Sequence, residues 1–300
     1  MKRFFIPLDG SAFAQQAARV AAAVARNKDH ELIFMHAHWP GLRPLDSDGF
    51  IPNIELTLGD AARRVHMEYR VTPSDDLTGQ VVLDAAYDCG ADLVIMASHG
   101  QGGLGRHLYG RVADQVLQST RLPVLLVPAS LPRRWPRVAP PSVVLALDES
   151  ESSERAIEPT IAITELLHAD LVLVRAIWEW DPGTAQYERA LGRAERYLRG
   201  VIARIARPAL RMRWECRWGD PDQVIVDVAR DVGAVALGMG TSGQGGRHGR
   251  TLGSIALGTV RRTDVPVLLV PPADHLRLPP LSHLLDGVSL SRSPALLPGR

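Results

Sequence analysis

The stretch GMGTSGQGGRHGRTLGS, residues 238–254, combines bare backbone with a predicted helix start, and this combination suits an anion. Gly240 and Gly243 would let a ligand approach the backbone without meeting a Cβ atom. Gly253 and Ser254 stand where the helix is predicted to begin, and helix N-termini present unpaired N–H groups and a partial positive charge. Residue types and spacing therefore predict a phosphate-binding loop.

The same loop carries cations, and it differs from the two common phosphate loops. Arg250 lies between Gly243 and Gly253, with Arg247 beside it. The letters from position 238 spell G-x-G-x-x-G, but the dinucleotide fingerprint follows the first strand of its unit and opens a helix directly. A Walker loop requires Gly-Lys-Ser/Thr, which is missing here. The remaining interpretation is a nucleotide-phosphate loop of another kind.

The loop occurs twice, because residues 98–110 read SHGQGGLGRHLYG and residues 242–253 read SGQGGRHGRTLG. In each half an apolar strand ends in an aspartate, Asp9 or Asp148, and an alanine-rich or isoleucine-rich helix follows. Strands and helices then alternate to the end of each half. A tandem duplication explains the nearly constant offset between matching elements.

Alternating strands and helices predict parallel sheets with helices on both faces, so the expected fold class is α/β and doubly wound. Continuously apolar segments such as LVIM and VAL agree, since these strands must be buried on both sides. The predicted organisation is a first domain over 1–128, a linker over 129–141, a second domain over 142–272 and a Pro-rich, disordered tail over 273–300.

Composition narrows the function classes. Lys and Arg number 34 against 33 Asp and Glu, a net charge of +1, so neither nucleic acid nor a membrane is expected as partner. The two cysteines form no disulfide framework and fit no metal spacing. The sequence contains no apolar run of membrane-spanning length. The expected location is the cytoplasm.

The spacing of the second loop, with Gly240, Gly243, Gly253 and Ser254, resembles the G-x2-G-x9-G-[S/T] motif of the universal stress protein family. The resemblance covers both halves of the chain. It implies two tandem five-stranded sheets in the order 3-2-1-4-5, in domains of the adenine-nucleotide alpha-hydrolase-like type. It also implies a pseudo-dimer, because pairing the last strands, 122–127 and 265–270, would cover two exposed apolar edges.

The resemblance implies adenine-nucleotide binding, with ATP as the ligand and Mg²⁺ as its companion ion, although no carboxylate cluster demands a metal. The implied ligand-binding residues of the second domain are Asp148, Ala176, Gly240, Gly243, Arg250, Gly253 and Ser254. Their weaker counterparts in the first domain are Asp9, Ala37, Gly100, Gly110 and Arg111. Ala97 replaces the first motif glycine there and Arg111 replaces the Ser/Thr, so binding is expected mainly in the second domain.

Three functions compete. The first is an ATP-binding regulatory protein of the stress response, without catalytic residues and with weak hydrolysis at most. The second is an adenylyl-transferring or pyrophosphatase enzyme on the same fold, which would need a phosphate loop after the first strand. That loop is missing, since the strand ends in LDGS or LDES. The third is a nucleotide-free pseudo-dimer scaffold that acts through an unknown protein partner. Association of two chains into a homodimer stays open.

Several of these residues also have a purely structural interpretation. Asp9 and Asp148 fit helix capping, with Ser11 as the first N-cap and Ser152 or Ser153 as the second. The expected role of His36 and His99 is that of satisfied polar groups at strand ends. Trp214, Cys216 and Trp218 alternate along one strand, and core packing is expected for that face.

Overall fold

The computed structural model describes residues 2–9, 11–25, 29–38, 54–59, 66–73, 79–99, 110–132, 135, 140–242, 252–272 and 289–290. The first half contains β1 (Arg3–Leu8), α1 (Ala12–Val24), β2 (Glu31–His38), β3 (His66–Pro73), α2 (Gly79–Asp88), β4 (Leu93–Ala97), α3 (Arg111–Ser119) and β5 (Val124–Val127).

The second half repeats this order with a longer helix in its variable segment. Its elements are β6 (Ser142–Ala146), α4 (Glu151–Glu154), α5 (Ile157–Leu166), β7 (Asp170–Ile177), α6 (Ala185–Ile205), β8 (Met212–Trp218), α7 (Pro221–Asp231), β9 (Ala234–Gly240), α8 (Ser254–Arg262) and β10 (Val267–Val270). A two-residue strand, β11 (Ser289–Leu290), follows.

The strands form one sheet in the order β11-β3-β2-β1-β4-β5-β10-β9-β6-β7-β8. Each half therefore has the order 3-2-1-4-5, as the resemblance implied. The halves join where β5 and β10 pair antiparallel, with Leu125 opposite Leu268 and Leu126 opposite Val267. The pairing of the two last strands is thus confirmed, and the two apolar edges cover each other.

The sheet separates two hydrophobic layers, because side chains of successive strand residues point to opposite faces. Leu125 and Leu268 belong to the layer with α1, α5 and α6. Leu126 and Leu269 belong to the layer with α2, α3, α7 and α8. Every residue of β5 and β10 is buried, which explains the continuous apolar sequences PVLLV in both halves.

The first helix of the second half is interrupted where that of the first half is continuous. Its two parts are α4 and α5, separated at Arg155–Ala156. Pro159 explains the break, since proline lacks an N–H group and its ring clashes with the carbonyl four residues earlier. The N-cap is Ser150, which accepts from the Ser153 backbone N–H, so the prediction of Ser152 or Ser153 was wrong. Ser11 caps α1 as predicted.

The linker and tail are described only in part. Trp135 donates its indole N–H to the Val235 carbonyl oxygen at 2.8 Å, which fastens the linker to the second half. In the tail, Ser289 and Leu290 pair antiparallel with β3. The rest of residues 273–300 lies outside the described part of the chain, so the predicted disorder of the tail stays a prediction.

Candidate functional site

A cavity of about 410 Å³ opens at the carboxyl ends of β6, β7 and β9. This position is the topological switch point of the second domain, because the chain leaves β6 in one direction and β9 lies on its other side. Five predicted residues line it: Asp148, Ala176, Gly240, Gly253 and Ser254. Gly243 and Arg250 lie outside the described residues.

One end of the cavity is the N-terminus of α8. Gly253 is the N-cap, and its backbone N–H donates to the Thr241 carbonyl oxygen at 2.8 Å. Glycine has no side chain that could accept a hydrogen bond from the first turn of α8. The backbone N–H groups of that turn therefore have no side-chain cap. Ser254, Ile255 and Ala256 of that turn line the cavity. This end is electrostatically suited to an anion.

Asp148 orders the turn that forms the cavity wall. Its Oδ1 accepts from the Ser150 backbone N–H at 3.0 Å and from the Ser150 hydroxyl at 2.5 Å. The Asp148 backbone N–H in turn donates to Ser153 Oγ at 3.2 Å. The carboxylate therefore shapes the turn while it faces the cavity, and Ser150 rather than Asp148 caps the helix.

Packing requires a glycine at position 240. Access for a ligand is therefore not the whole reason why this residue has no side chain. A Cβ atom at Gly240 would lie 2.6 Å from the carbonyl oxygen of Ser152. A Cβ atom at Gly238 would likewise lie 2.1 Å from Thr160 Oγ1. Both glycines belong to β9, whose last residue is Gly240. They let α4 and α5 lie close to the sheet.

Sequence reasoning missed a charged pair at the cavity, formed by Arg175 and Glu149. Arg175 lines the cavity from β7 and is 16% exposed, with its Nη2 3.3 Å from Glu149 Oε1. Glu149 has a φ of 67°, which is uncommon for a residue with a Cβ atom. The signal was available, because an arginine within the apolar strand LVLVRAI is exceptional.

Three further lining residues were missed at the end away from α8. Trp178 and Glu179 follow β7 directly, and Arg193 comes from α6. Trp178 is 61% exposed, so its indole borders the cavity mouth. The first half has no described helix like α6, and an exposed tryptophan after a strand gives no clear sequence signal.

Comparison with known proteins assigns the chain to a family. The model of the universal stress protein family matches residues 1–128 and 141–271. The chain belongs to the universal stress protein family. A universal stress protein of Thermus aquaticus is 31% identical over 134 residues, which cover 42% of this chain and 98% of the relative.

The tandem arrangement also occurs among its relatives. A universal stress protein of Mycolicibacterium smegmatis is 23% identical over 302 residues, covering 89% of this chain and 96% of the relative. The crystal structure of a universal stress protein from Archaeoglobus fulgidus superposes with a TM-score of 0.59 at 15% identity, covering 91% of this chain and 97% of that one. This likeness supports the fold.

The first universal stress protein domain repeats the helix start of the second but not its surroundings. Gly110 is the N-cap of α3 and donates to the Ser98 carbonyl oxygen at 2.8 Å, as Gly253 does to Thr241. Arg111 takes the position of Ser254. Asp9 accepts from the Ser11 backbone N–H at 2.9 Å, matching the Asp148 turn. Ala37 lies in β2, and Gly100 is outside the described residues.

The two domains also differ in a side-chain contact at matching positions. Ser152 and Ser242 share a hydrogen bond of 2.9 Å between their hydroxyls. At the matching positions of the first domain, Phe13 and His99 make a ring contact with centroids 6.5 Å apart. Two aromatic rings in the first domain thus replace two small hydroxyl groups in the second, so the two sites are chemically distinct.

The predicted structural role of the histidines is confirmed, whereas that of the tryptophans is wrong. His36 Nδ1 lies 3.0 Å from the Leu8 carbonyl oxygen, and His99 lies 3.0 Å from Ser98 Oγ. Trp214 and Trp218 are 41% and 51% exposed, because β8 is an outer strand that α6 covers only in part.

The described residues contain neither a metal-ligand cluster nor a membrane-spanning helix. No group of three or more His, Cys, Asp or Glu side chains there is arranged to hold a metal ion. No helix in the same part of the chain is long and apolar enough to cross a membrane.

Proposed function

We propose that this universal stress protein binds an adenine nucleotide, first of all ATP, in the cavity of its second domain, and that occupancy regulates contacts with a partner during stress. One observation carries the proposal. The cavity at the switch point brings Asp148 together with Gly253 and Ser254 at an uncapped helix N-terminus.

The chemistry of the cavity fits the parts of a nucleotide. The first-turn N–H groups of α8 and the Ser254 hydroxyl would hold phosphate. Ile225 and Met239 supply apolar wall for a base, and Ala176 offers backbone at the end of β7. A volume of about 410 Å³ lies within the range of small-molecule pockets.

We further propose that hydrolysis is slow. General-base catalysis needs a base within hydrogen-bond reach of the attacking group. Asp148 Oδ1 already accepts from Ser150, and Ser153 Oγ donates to the Ser150 carbonyl oxygen at 2.9 Å. Mg²⁺ bound with ATP would be held mainly by phosphate oxygens and water, which suits its preference for a partly hydrated shell.

The first experiment measures nucleotide released from the denatured protein by anion-exchange chromatography, followed by titration of the emptied protein with ATP. Ser254→Asp is the informative variant, because a carboxylate repels phosphate there but is favourable for a helix N-terminus. We expect the ATP affinity to fall at least about tenfold, since hydrogen bonds to charged groups are among the stronger ones. The unfolding temperature of the empty variant should not fall.

Arg111→Asp is the matched control at the equivalent position of the first domain. It should leave ATP affinity unchanged if the second domain is the binding site. Equal losses in both variants would show that Arg111 contributes to a second working site. No ATP binding by the wild-type protein would favour the nucleotide-free scaffold.

A further inference from the structure

The outermost strand of the second domain, β8, has an unpaired edge among the described residues, where β7 is its sole neighbour. Its sequence is MRWECRW, and Trp214 and Trp218 are 41% and 51% exposed. Exposed apolar edge strands are templates for pairing with another chain. The opposite edge of the sheet, at β3, is paired with β11.

The backbone of β8 directs alternate residues toward the free edge. The Leu171 N–H donates to the Arg211 carbonyl oxygen at 2.9 Å, and the Gly219 N–H donates to the Ile177 carbonyl oxygen at 3.1 Å. Odd-numbered residues of β8 therefore face β7 with both backbone groups, since parallel pairing uses every second residue. The backbone groups of Trp214, Cys216 and Trp218 point outward.

The segment Trp214–Trp218, WECRW, is complementary to itself when reversed. In an antiparallel pair centred on Cys216, Trp214 lies opposite Trp218 of the other chain, and Glu215 lies opposite Arg217. Opposite charges and aromatic residues are favourable cross-strand pairs. We propose that β8 pairs antiparallel with β8 of a second copy of this chain, in the register that places Cys216 opposite Cys216.

The outward backbone groups agree with this register. Cys216 opposite Cys216, and Trp214 opposite Trp218, become the hydrogen-bonded positions of the antiparallel ladder. The two-fold axis of this dimer is perpendicular to the sheet. Trp214 and Trp218 of both copies therefore lie on the α6 face, and Glu215 and Arg217 of both copies lie on the other face. The same surface patch serves both copies, as an isologous dimer requires.

The two registers centred on the charged residues Glu215 and Arg217 are disfavoured by charge. Centring the pair on Glu215 places Glu215 opposite itself and Arg213 opposite Arg217. Centring it on Arg217 places Arg217 opposite itself and leaves Glu215 opposite Gly219. Like charges directly opposite destabilise a ladder, so both of these registers are less favourable than the one centred on Cys216.

Contacts within the chain prepare the charged side chains for this arrangement. Arg217 Nη2 lies 2.6 Å from Glu215 Oε2, and Arg217 Nη1 contacts Asp231 of α7 at 2.5 Å. The dimer would bring two such clusters together with alternating signs. On the other face, the Arg199 guanidinium lies 5.9 Å from the Trp214 ring centroid, which orients that indole.

The first test is the mass in solution, measured by light scattering after gel filtration over a range of concentrations. The wild-type protein should have twice the chain mass of 32.7 kDa. Glu215→Arg and Arg217→Glu should each weaken dimerisation at least about tenfold, because each creates like-charge pairs. The double variant E215R/R217E restores opposite charges across the axis and should recover most of the affinity. Circular dichroism checks that each variant is folded.

The second test is register-specific cross-linking with a short thiol-reactive reagent. Cys89 is buried and Cys216 is only partly buried, so Cys216 is the more accessible thiol of the two in the chain. Opposite Cys216 residues would be about 5.5 Å apart at Cα, within disulfide and short cross-linker reach. Cys89→Ser should cross-link and Cys216→Ser should not. Because burial raises the pKa of the Cys216 thiol to about 11, the reaction is run at alkaline pH.

Two results would overturn the proposal. A wild-type protein that stays monomeric at all concentrations would show that β8 does not pair with β8 of a second copy. A dimer that is indifferent to Glu215→Arg and Arg217→Glu, or that does not cross-link at Cys216, uses another surface.

Discussion

Gly240 shows how one residue can serve packing and binding together. Its missing Cβ atom would lie 2.6 Å from a backbone carbonyl oxygen of Ser152, and it also lines the cavity. A sequence motif cannot separate these roles. Only the position of α4 above β9 shows that the glycine is needed even without a ligand.

Gly240→Ala should destabilise the empty protein. Forcing a methyl group into that contact requires α4 to shift, which costs about 1–3 kcal/mol of unfolding free energy. Urea denaturation of nucleotide-free protein measures the loss. The control is Ala97→Gly, the matching position of the first domain, where a methyl group is already accommodated and little more than the backbone-entropy effect is expected. If Gly240→Ala leaves the stability unchanged, packing does not require the glycine, and its role is limited to ligand binding.

His168 offers a stabilising substitution at the same scale. It has a φ of 50° at the C-terminal end of α5, and the Ala169 N–H donates to the Thr164 carbonyl oxygen across it. This is the position where helices favour glycine. The equivalent end of α7 has Gly233, with a φ of 61°.

His168→Gly should raise the unfolding free energy by about 1 kcal/mol, because a left-handed conformation costs residues with a Cβ atom roughly that amount. Gly233→Ala should have the opposite effect of similar size. Both are measured by urea denaturation. A destabilised His168→Gly would indicate that the imidazole makes contacts worth more than the strain.

At the scale of elements, the ionised carboxylate of Asp84 in α2 lowers the stability of the folded protein. Burial raises the pKa of Asp84 in α2, and the nearby Asp88 raises it further, while a hydrogen bond from Gln80 opposes both. The charged form is therefore disfavoured in the folded state. The cost appears as the pH rises above the ordinary value of 3.8 and stays at neutral pH.

Asp84→Asn should accordingly stabilise the protein at pH 7 by about 0.3 kcal/mol, the size of a repulsive pair one helical turn apart. The amide oxygen can still accept from Gln80. The gain should disappear below pH 3.8, where the carboxyl group is protonated in both states. Denaturation curves at several pH values measure it, and a gain independent of pH would rule out the charge as its cause.

At the scale of the whole molecule, the two halves are joined through the centre of one sheet. Leu125 and Leu268 lie opposite each other across the β5–β10 pair and are each 1% exposed. Leu269 points to the opposite layer. The duplication therefore creates a continuous core in which stability is shared between the domains.

A double-mutant cycle tests this sharing. Leu125→Ala and Leu268→Ala should each cost about 2–5 kcal/mol, and the pair should be coupled by about 1 kcal/mol because directly opposite residues of an antiparallel pair interact through their side chains. Leu125→Ala with Leu269→Ala is the control, since those side chains lie on opposite faces. Additive effects for Leu125 and Leu268 would contradict a shared core.

The duplication and the α/β class followed from local pattern, whereas the strand order came from the resemblance to the universal stress protein family. Apolar strands, helix periodicity and glycine loops repeat in the chain, and parallel topology has few alternatives once strands and helices alternate. The second-domain cavity also followed, because Asp148 closely follows β6 while Gly253 and Ser254 begin α8 at the same sheet edge. These features depend on contacts close in sequence or on strict connection rules.

The tertiary structure alone decided which long-range neighbours meet. The roles of Gly238 and Gly240 depend on how closely α4 and α5 approach β9, and the pair of Arg175 and Glu149 depends on a left-handed residue in a turn. The exposure of Trp214 and Trp218 depends on β8 being the outermost strand of its half. Sequence periodicity says that a strand has an apolar face, but only the assembled sheet shows whether anything covers it.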